Sequence, residues 1–318
     1  MDNKQQARLR PHRVAIVGVG RVGSTYAYSL LLRGAVGEIV LVDIDRQRTE
    51  GEAMDLGHAA PLANPVHIWT GDYDDCRAAD VVTVAAGVAQ RPGESRMELL
   101  RRNAAVFSEL IPQVAGQGVL LVATNPVDVM AHIAWKLSGL PAHRVIGSGT
   151  VLDTARFRHL LSRSLGVDPR NVHAYIIGEH GDSEVPAWSR TTVAGVPLDE
   201  FCTPTGCPFP PVDREGVFAG IRDAAQEIIS RKGATYYAVA AALTRITDAI
   251  LHDQHSVLSV SKLAPEALGL GSVYLSLPAV VGREGAERVI SLPLSDDEQR
   301  ALERSAALLK QAVGDLGY

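Results

Sequence analysis

The run Gly178-Glu179-His180-Gly181-Asp182-Ser183 follows the apolar segment Ala174-Tyr175-Ile176-Ile177 and sets one histidine among small and acidic residues. Histidine titrates nearest neutrality, so it suits proton transfer, and flanking glycines let a ligand approach the backbone closely. A lone histidine at a strand end is also an ordinary structural residue; it gains chemical meaning only with a cofactor, a partner carboxylate and a substrate anchor. Asp153 and Arg156, in Gly149-Thr-Val-Leu-Asp-Thr-Ala-Arg156, supply the last two. Their i, i+3 spacing puts both on one helix face. They are either a surface ion pair or a carboxylate that orients His180 beside a guanidinium that clamps a substrate carboxylate. Arg96, in Gln90-Arg-Pro-Gly-Glu-Ser-Arg96, sits where a loop at the edge of a cleft could carry it over a substrate on closure. Asn125, in Thr124-Asn-Pro-Val-Asp128, is either turn chemistry or an amide that binds substrate or nicotinamide.

A cofactor comes from Gly18-Val-Gly20-Arg-Val22-Gly23. This G-x-G-x-x-G follows the strand-like run Arg13–Gly18, opens a helical pattern over 22–33, and has Asp43 at the end of the next strand, 20 residues after Gly23. That context is the dinucleotide fingerprint, with the pyrophosphate at the helix N-terminus. A carboxylate at Asp43 accepts hydrogen bonds from ribose hydroxyls and repels a 2′-phosphate, which favours NAD over NADP. Ala86, the last residue of the strand 81–86, and Gly87 after it complete the candidate cofactor contacts, with Asn125.

These groups need a scaffold. Apolar runs at 13–18, 39–43, 81–86 and 119–124 alternate with helical stretches such as 97–116. Such alternation predicts an α/β fold: a Rossmann doubly wound parallel sheet, its strand C-termini and ligand on one edge, followed by an α+β substrate-binding domain. The later pattern reads as a helix over 151–165, a strand over 172–177, a Pro/Thr-rich loop over 202–213, an Ala-rich helix over 213–251 and a β region over 255–292. A last helix starts near Ser295, where Ser295-Asp-Asp-Glu298 has the form of a capping box. The division expected is a disordered arm at 1–12, a dinucleotide-binding domain at 13–147 and a catalytic domain at 148–318.

Composition narrows the function classes. The chain has 318 residues, 46% hydrophobic and 21% charged, with a net charge of −5. That is enough for a sizeable core and leaves no basic footprint for nucleic acid. No run is long enough to span a membrane, and the polar first 13 residues are no secretory signal. Cys76, Cys202 and Cys207 are few and odd in number, which points to a reducing, cytoplasmic setting. Cys202 and Cys207 read as free thiols rather than a disulfide, and no neighbouring histidines suggest a metal site.

Together, the glycine fingerprint, AGVAQRPGESR, TNPVD, GSGTVLDTAR, IIGEHGDSE and KGATYY resemble the NAD-dependent L-lactate and malate dehydrogenase family, and most closely its bacterial L-lactate dehydrogenases. The resemblance runs from about residue 13 to the C-terminus. It implies that His180 exchanges the proton at the substrate C2 oxygen and that Asp153 holds its ring. It also implies that Arg156 binds the carboxylate, that Arg96 polarises the carbonyl, and that Asn125 and Thr235 complete the pocket. Gln90 occupies the position where malate dehydrogenases of the family carry Arg; a neutral amide there leaves a second substrate carboxylate unpaired, which favours pyruvate over oxaloacetate. Malate or broad 2-hydroxyacid specificity is the alternative within the fold, and a non-catalytic NAD sensor the alternative outside it. Arg158 projects from nearly the opposite side of its helix to Arg156. With His173 it matches positions that bind the phosphates of fructose bisphosphate in activated bacterial members; a surface arginine and a half-buried strand histidine are the plainer reading. The resemblance also implies a homotetramer.

Overall fold

The computed structural model describes residues 11–88, 91, 93–201 and 212–318, and the side chain of Arg96 falls outside that description. Gln90, Cys202 and Cys207 lie outside the described residues. The first half builds six strands: β1 (Arg13–Val17), β2 (Glu38–Val42), β3 (His67–Thr70), β4 (Val81–Val84), β5 (Val119–Val122) and β6 (Val145–Gly147). They pair in parallel in the order β3-β2-β1-β4-β5-β6. The connecting helices are α1 (Arg21–Arg33), α2 (Arg46–Ala59), α3 (Tyr73–Arg77), α4 (Arg96–Val114) and α5 (Val127–Ser138).

The continuous apolar runs are explained by burial on both faces of this sheet. Ala15, Val17, Val82, Val84, Leu120 and Val122 pack with Phe107 and Ile111 of α4 and Met130 and Ile133 of α5. Their strand neighbours Val14, Ile16, Ile39, Leu41, Val119 and Leu121 face the other way, against Tyr26, Leu30 and Leu31 of α1. A period of two with both faces apolar leaves no polar position to mark the alternation in sequence.

The second half opens with α6 (Val151–Leu165) and departs from the sequence pattern in three places. The expected strand 172–177 is two short ones, β7 (Val172–His173) and β8 (Ile176–Ile177). β8 pairs with β9 (Val185–Pro186) and β7 with β10 (Thr192–Val193), which joins β11 (Val196–Pro197), so the chain changes sheets at Ala174-Tyr175. After α7 (Leu198–Phe201), the expected helix 213–251 is three: α8 (Arg214–Arg222), α9 (Ala224–Lys232) and α10 (Tyr237–Leu251). Gly233 caps α9 at φ +84, a left-handed stop, and α10 starts only at Tyr237. Finally, β12 (Ser256–Leu263), β13 (Tyr274–Gly282) and β14 (Gly285–Val289) do not stand apart: they extend the parallel sheet past β6 as an antiparallel edge, making nine strands. α11 (Asp296–Gly314) closes the fold, and Ser295 and Glu298 form the expected capping box. Among the described residues no helix is long and apolar enough to cross a membrane.

Candidate active site

The glycine turn lies between β1 and α1. Gly18 has φ +97, and a Cβ there would sit 2.3 Å from the Ala86 backbone nitrogen; a Cβ on Gly23 would sit 2.1 Å from the Gly18 carbonyl. Only glycine permits this packing of turn, strand and helix. Gly20, the N-cap of α1, has open space beside it. Asp43 ends the next strand as expected, and its Oδ2 accepts the Val19 N–H at 2.6 Å while Oδ1 accepts the Asp45 N–H at 3.1 Å. It therefore holds the glycine turn as well as facing a cavity of about 290 Å³ that Gly18, Asp43, Ile44, Ala86 and Gly87 help to line. The open side of Gly20 leaves room for a pyrophosphate, and each Asp43 oxygen keeps a lone pair for a ribose hydroxyl, so these residues fit a dinucleotide. Val22 is half-buried on the first turn of α1. Thr124 fixes the adjoining strand end by donating its hydroxyl to the Ala86 carbonyl at 2.6 Å.

Asp153, 2% exposed in the first turn of α6, bridges the two other expected groups. Its Oδ2 lies 2.5 Å from His180 Nδ1, and its Oδ1 accepts Arg156 Nη1–H at 2.8 Å. This is no surface pair. Burial opposes charge on Asp153, yet His180 and Arg156 hold its carboxyl below the usual range. Burial likewise opposes a charged His180, but Asp153, with Asp128 and Glu184 beyond it, outweighs burial and pushes the ring up to about 9. The His180 side chain remains 26% exposed, enough for a substrate to reach it. With Nδ1 on Asp153, Nε2 is the atom left for a substrate oxygen.

The loop carrying His180 is tied from three directions. Its backbone N–H donates to Asp128 Oδ2 at 2.7 Å, and Ser276 Oγ donates to Asp128 Oδ1 at 3.3 Å. Gly178 pairs with Ser276 backbone to backbone, and the Glu179 N–H donates to Ser305 Oγ of α11 at 2.8 Å. Asp128 is fully buried, and burial pushes its carboxyl up to about 6. The sequence motif gives Asp128 no role of its own; the signal that marks it is an acid within an apolar helix stretch, Val127-Asp-Val-Met-Ala. Glu184 was missed likewise. Burial, with Asp153 nearby, raises its carboxyl to about 8, and its Oε1 is buried without a hydrogen-bond partner among the described residues.

The remaining candidates fall as follows. Asn125 is exposed in the turn between β5 and α5, with its Oδ1 accepting the Val127 N–H at 3.3 Å. Arg96 is the first residue of α4, after the N-cap Ser95. Thr235 is half-buried in the break between α9 and α10. Arg158 faces away from Arg156: its Nε donates to the Ala174 carbonyl at 3.0 Å, and its guanidinium lies 5.2 Å from the Tyr175 ring centre. His173, one residue before Ala174, is exposed on β7.

Residues 12–147 match the NAD binding domain of lactate/malate dehydrogenase, and residues 150–316 match its alpha/beta C-terminal domain. The chain belongs to the lactate/malate dehydrogenase family. It is 52% identical to the L-lactate dehydrogenase of Thermus aquaticus over 309 residues, which span 96% of this chain and all (100%) of that one. Identity to the Priestia megaterium L-lactate dehydrogenase is 48% over 311 residues, 97% of this chain and 98% of the relative. Among solved structures, a lactate dehydrogenase from a Medee basin deep-sea metagenome library superposes with a TM-score of 0.92 at 43% identity, covering 98% of this chain and 100% of that one. The ligands-bound minor L-lactate dehydrogenase of Enterococcus mundtii also gives 0.92, at 39% identity over 96% of this chain and 98% of that one. The chain is thus an NAD-dependent oxidoreductase.

Proposed function

We propose that the chain is an L-lactate dehydrogenase that reduces pyruvate reversibly to L-lactate with NADH. The observation that carries this reading is Asp153, which joins a proton carrier and a carboxylate clamp in one buried unit. Bound NADH supplies a hydride to the substrate carbonyl carbon. His180, held protonated by Asp153, gives its Nε2 proton to the carbonyl oxygen. Arg156 spends one N–H on Asp153 and makes no other hydrogen bond among the described residues, so the rest of its fork is available to the substrate carboxylate. Arg96 meets the charge growing on the oxygen in a pocket emptied of water. Asn125 and Thr235 bound the pocket. Gly18, Gly20, Val22, Gly23, Asp43, Ala86 and Gly87 hold the dinucleotide.

Gln90 sets the preference for pyruvate. The test is a kinetic comparison of pyruvate and oxaloacetate with NADH, in the wild type and in Gln90→Arg. The variant should move toward oxaloacetate; an unchanged ratio of kcat/KM values would remove the specificity argument and leave malate or broad 2-hydroxyacid reduction.

Fructose bisphosphate is the proposed activator, bound by Arg158 and His173, with its phosphates as the shared anchor. Support comes from Arg158, whose Nε is fixed on Ala174 next to the exposed His173. Exposed apolar side chains on α1 (Tyr28, Leu32), on α2 (Met54) and at Tyr237 support assembly into a homotetramer. Light scattering at micromolar concentration tests the assembly.

A further inference from the structure

Glu184 is a buried acid beside the His180–Asp153–Arg156 unit, and hydride and proton transfer do not call on it. Its N–H donates to the Gly181 carbonyl at 3.1 Å, and the next residue, Val185, pairs with Ile177 across β9 and β8. His180 and Glu184 therefore sit on one short loop whose ends are fixed by that ladder. Glu184 is 7% exposed, and its Oε1 is sealed from water with no hydrogen-bond partner among the described residues. Asp128, the buried acid that anchors the same loop, differs: its two oxygens receive the His180 N–H and the Ser276 hydroxyl. A buried carboxylate oxygen without a donor is costly, and an uncharged acid in the same place costs less.

The charged groups around Glu184 come from two helices and its own loop. Asp153 and Arg156 act on it from α6, His180 from the loop and Arg222 from the end of α8. Next to these, Asp182 acts on Arg222, and Asp128 of α5 on His180. Arg222 pairs with Asp223 at 3.0 Å and Arg156 with Asp153 at 2.8 Å; neither forms an ion pair with Glu184 among the described residues. Burial and the negative Asp153 oppose charge on Glu184 more than the cations favour it, and its carboxyl is raised to about 8. His180 and Arg156 against Asp153 leave one positive charge in excess. An ionised Glu184 or a substrate carboxylate on Arg156 balances that excess. Both together set two negative charges against each other in a pocket with little water to screen them.

Resting on the L-lactate dehydrogenase reading, we propose that Glu184 is a second proton-binding group of the substrate pocket, uncharged whenever a substrate carboxylate occupies Arg156. Docking of the anion then draws on two protons from solvent, one held by His180 and one by Glu184. The first is the proton delivered to the carbonyl oxygen. The second stays on the protein and removes a competing charge. Glu184 is thus a positioning residue for the substrate anion, and it makes pyruvate binding steeper in pH than one histidine allows. The coupling is reciprocal: ionised Glu184 weakens the anion by the same factor by which the anion strengthens the hold of Glu184 on its proton.

The test counts protons. The full chain, saturated with NADH, is mixed with oxamate, an unreactive analogue with the same carboxylate as pyruvate, in weakly buffered solution with a pH indicator. At pH about 9 the empty site has lost much of both protons, so the wild type should take up more than one proton per oxamate bound. Glu184→Gln, uncharged and of the same shape, should take up at most one. Turnover carries the same signature. The logarithm of KM for pyruvate should rise with alkaline pH at a slope approaching two in the wild type and one in the variant, since each slope unit counts one linked proton. NADH fluorescence reports folding of the variant, and the wild-type count needs no variant. A wild type that takes up one proton or fewer at every pH, or a variant that takes up as many as the wild type, overturns the inference and leaves Glu184 a buried acid with no part in binding. That outcome with pyruvate turnover intact removes this inference alone; a wild type that does not turn over pyruvate removes the reading beneath it as well.

Discussion

Arg156 and Arg158 stand two residues apart on α6 and do opposite work. Arg156 turns inward, 16% exposed, and pairs with a carboxylate that is itself tied to His180. Arg158 turns outward, to a carbonyl and the face of Tyr175. An offset of two residues rotates a helical side chain by about 200°, so one helix presents a cation to two unrelated surfaces. Charge placed against Asp153 is needed to keep a buried carboxylate ionised. Charge placed over Tyr175 is half-buried and pairs with no carboxylate among the described residues. The difference lies in what each cation faces.

The comparison can be broken from the inner side first. His180→Ala should lower kcat for NADH oxidation with pyruvate by about 10²–10⁴, the usual contribution of a general acid; NADH binding, followed by its fluorescence, should persist. Full activity in that variant would remove His180 as the proton donor, and absence of turnover in the wild type would return the chain to a non-catalytic sensor. Arg156→Lys keeps the charge but loses the planar fork. One charged hydrogen bond is worth about 1.5–3 kcal/mol, so KM for pyruvate should rise roughly tenfold to 150-fold, with a smaller fall in kcat.

A third measurement addresses Asp153 through pH. His180 raised to about 9 must be protonated for ketone reduction. Pyruvate kcat/KM should therefore hold at neutral pH and fall as pH rises through that value. In Asp153→Asn the alkaline limb should move down by roughly 1–3 units, the effect of removing an opposite charge. The raised ring also links to stability. Its contribution is complete below the unperturbed value near ~6.5 and is lost as pH climbs through about 9. A profile that does not move would separate Asp153 from the proton carrier.

The smallest effect belongs to the outer side. Arg158→Gln should leave turnover at saturating pyruvate within about twofold, since Arg158 touches Ala174 and Tyr175 and not the His180–Asp153–Arg156 unit, and should abolish any response of the pyruvate saturation curve to fructose bisphosphate. Identical wild-type curves with and without the effector at neutral pH would instead make Arg158 a plain cation–π contact.

Much of this site was legible before any coordinates. The glycine turn could be read because its constraint is local: Gly18 and Gly23 are needed by atoms within one strand–turn–helix unit. Residue types and a resemblance were enough to single out His180, Asp153 and Arg156, which the structure brings into contact. The strand 172–177 and the helix 213–251 were misread because pairing partners and a left-handed stop at Gly233 decide them, and periodicity registers neither. Gln90 remains a sequence argument.

By itself, the sequence determined the element types, the dinucleotide turn and the pool of groups able to move protons and bind carboxylates, because those depend on short spacings. Only the tertiary structure decided that Asp153 would sit 2.5 Å from a histidine 27 residues away, and that Asp128 and Ser305 would anchor that histidine's loop. It also decided that Glu184 would lie close to the same pair, with one oxygen sealed from water. Those distances follow from sheet order and helix packing, which sum over contacts far apart in the chain, so no local window of residues encodes them.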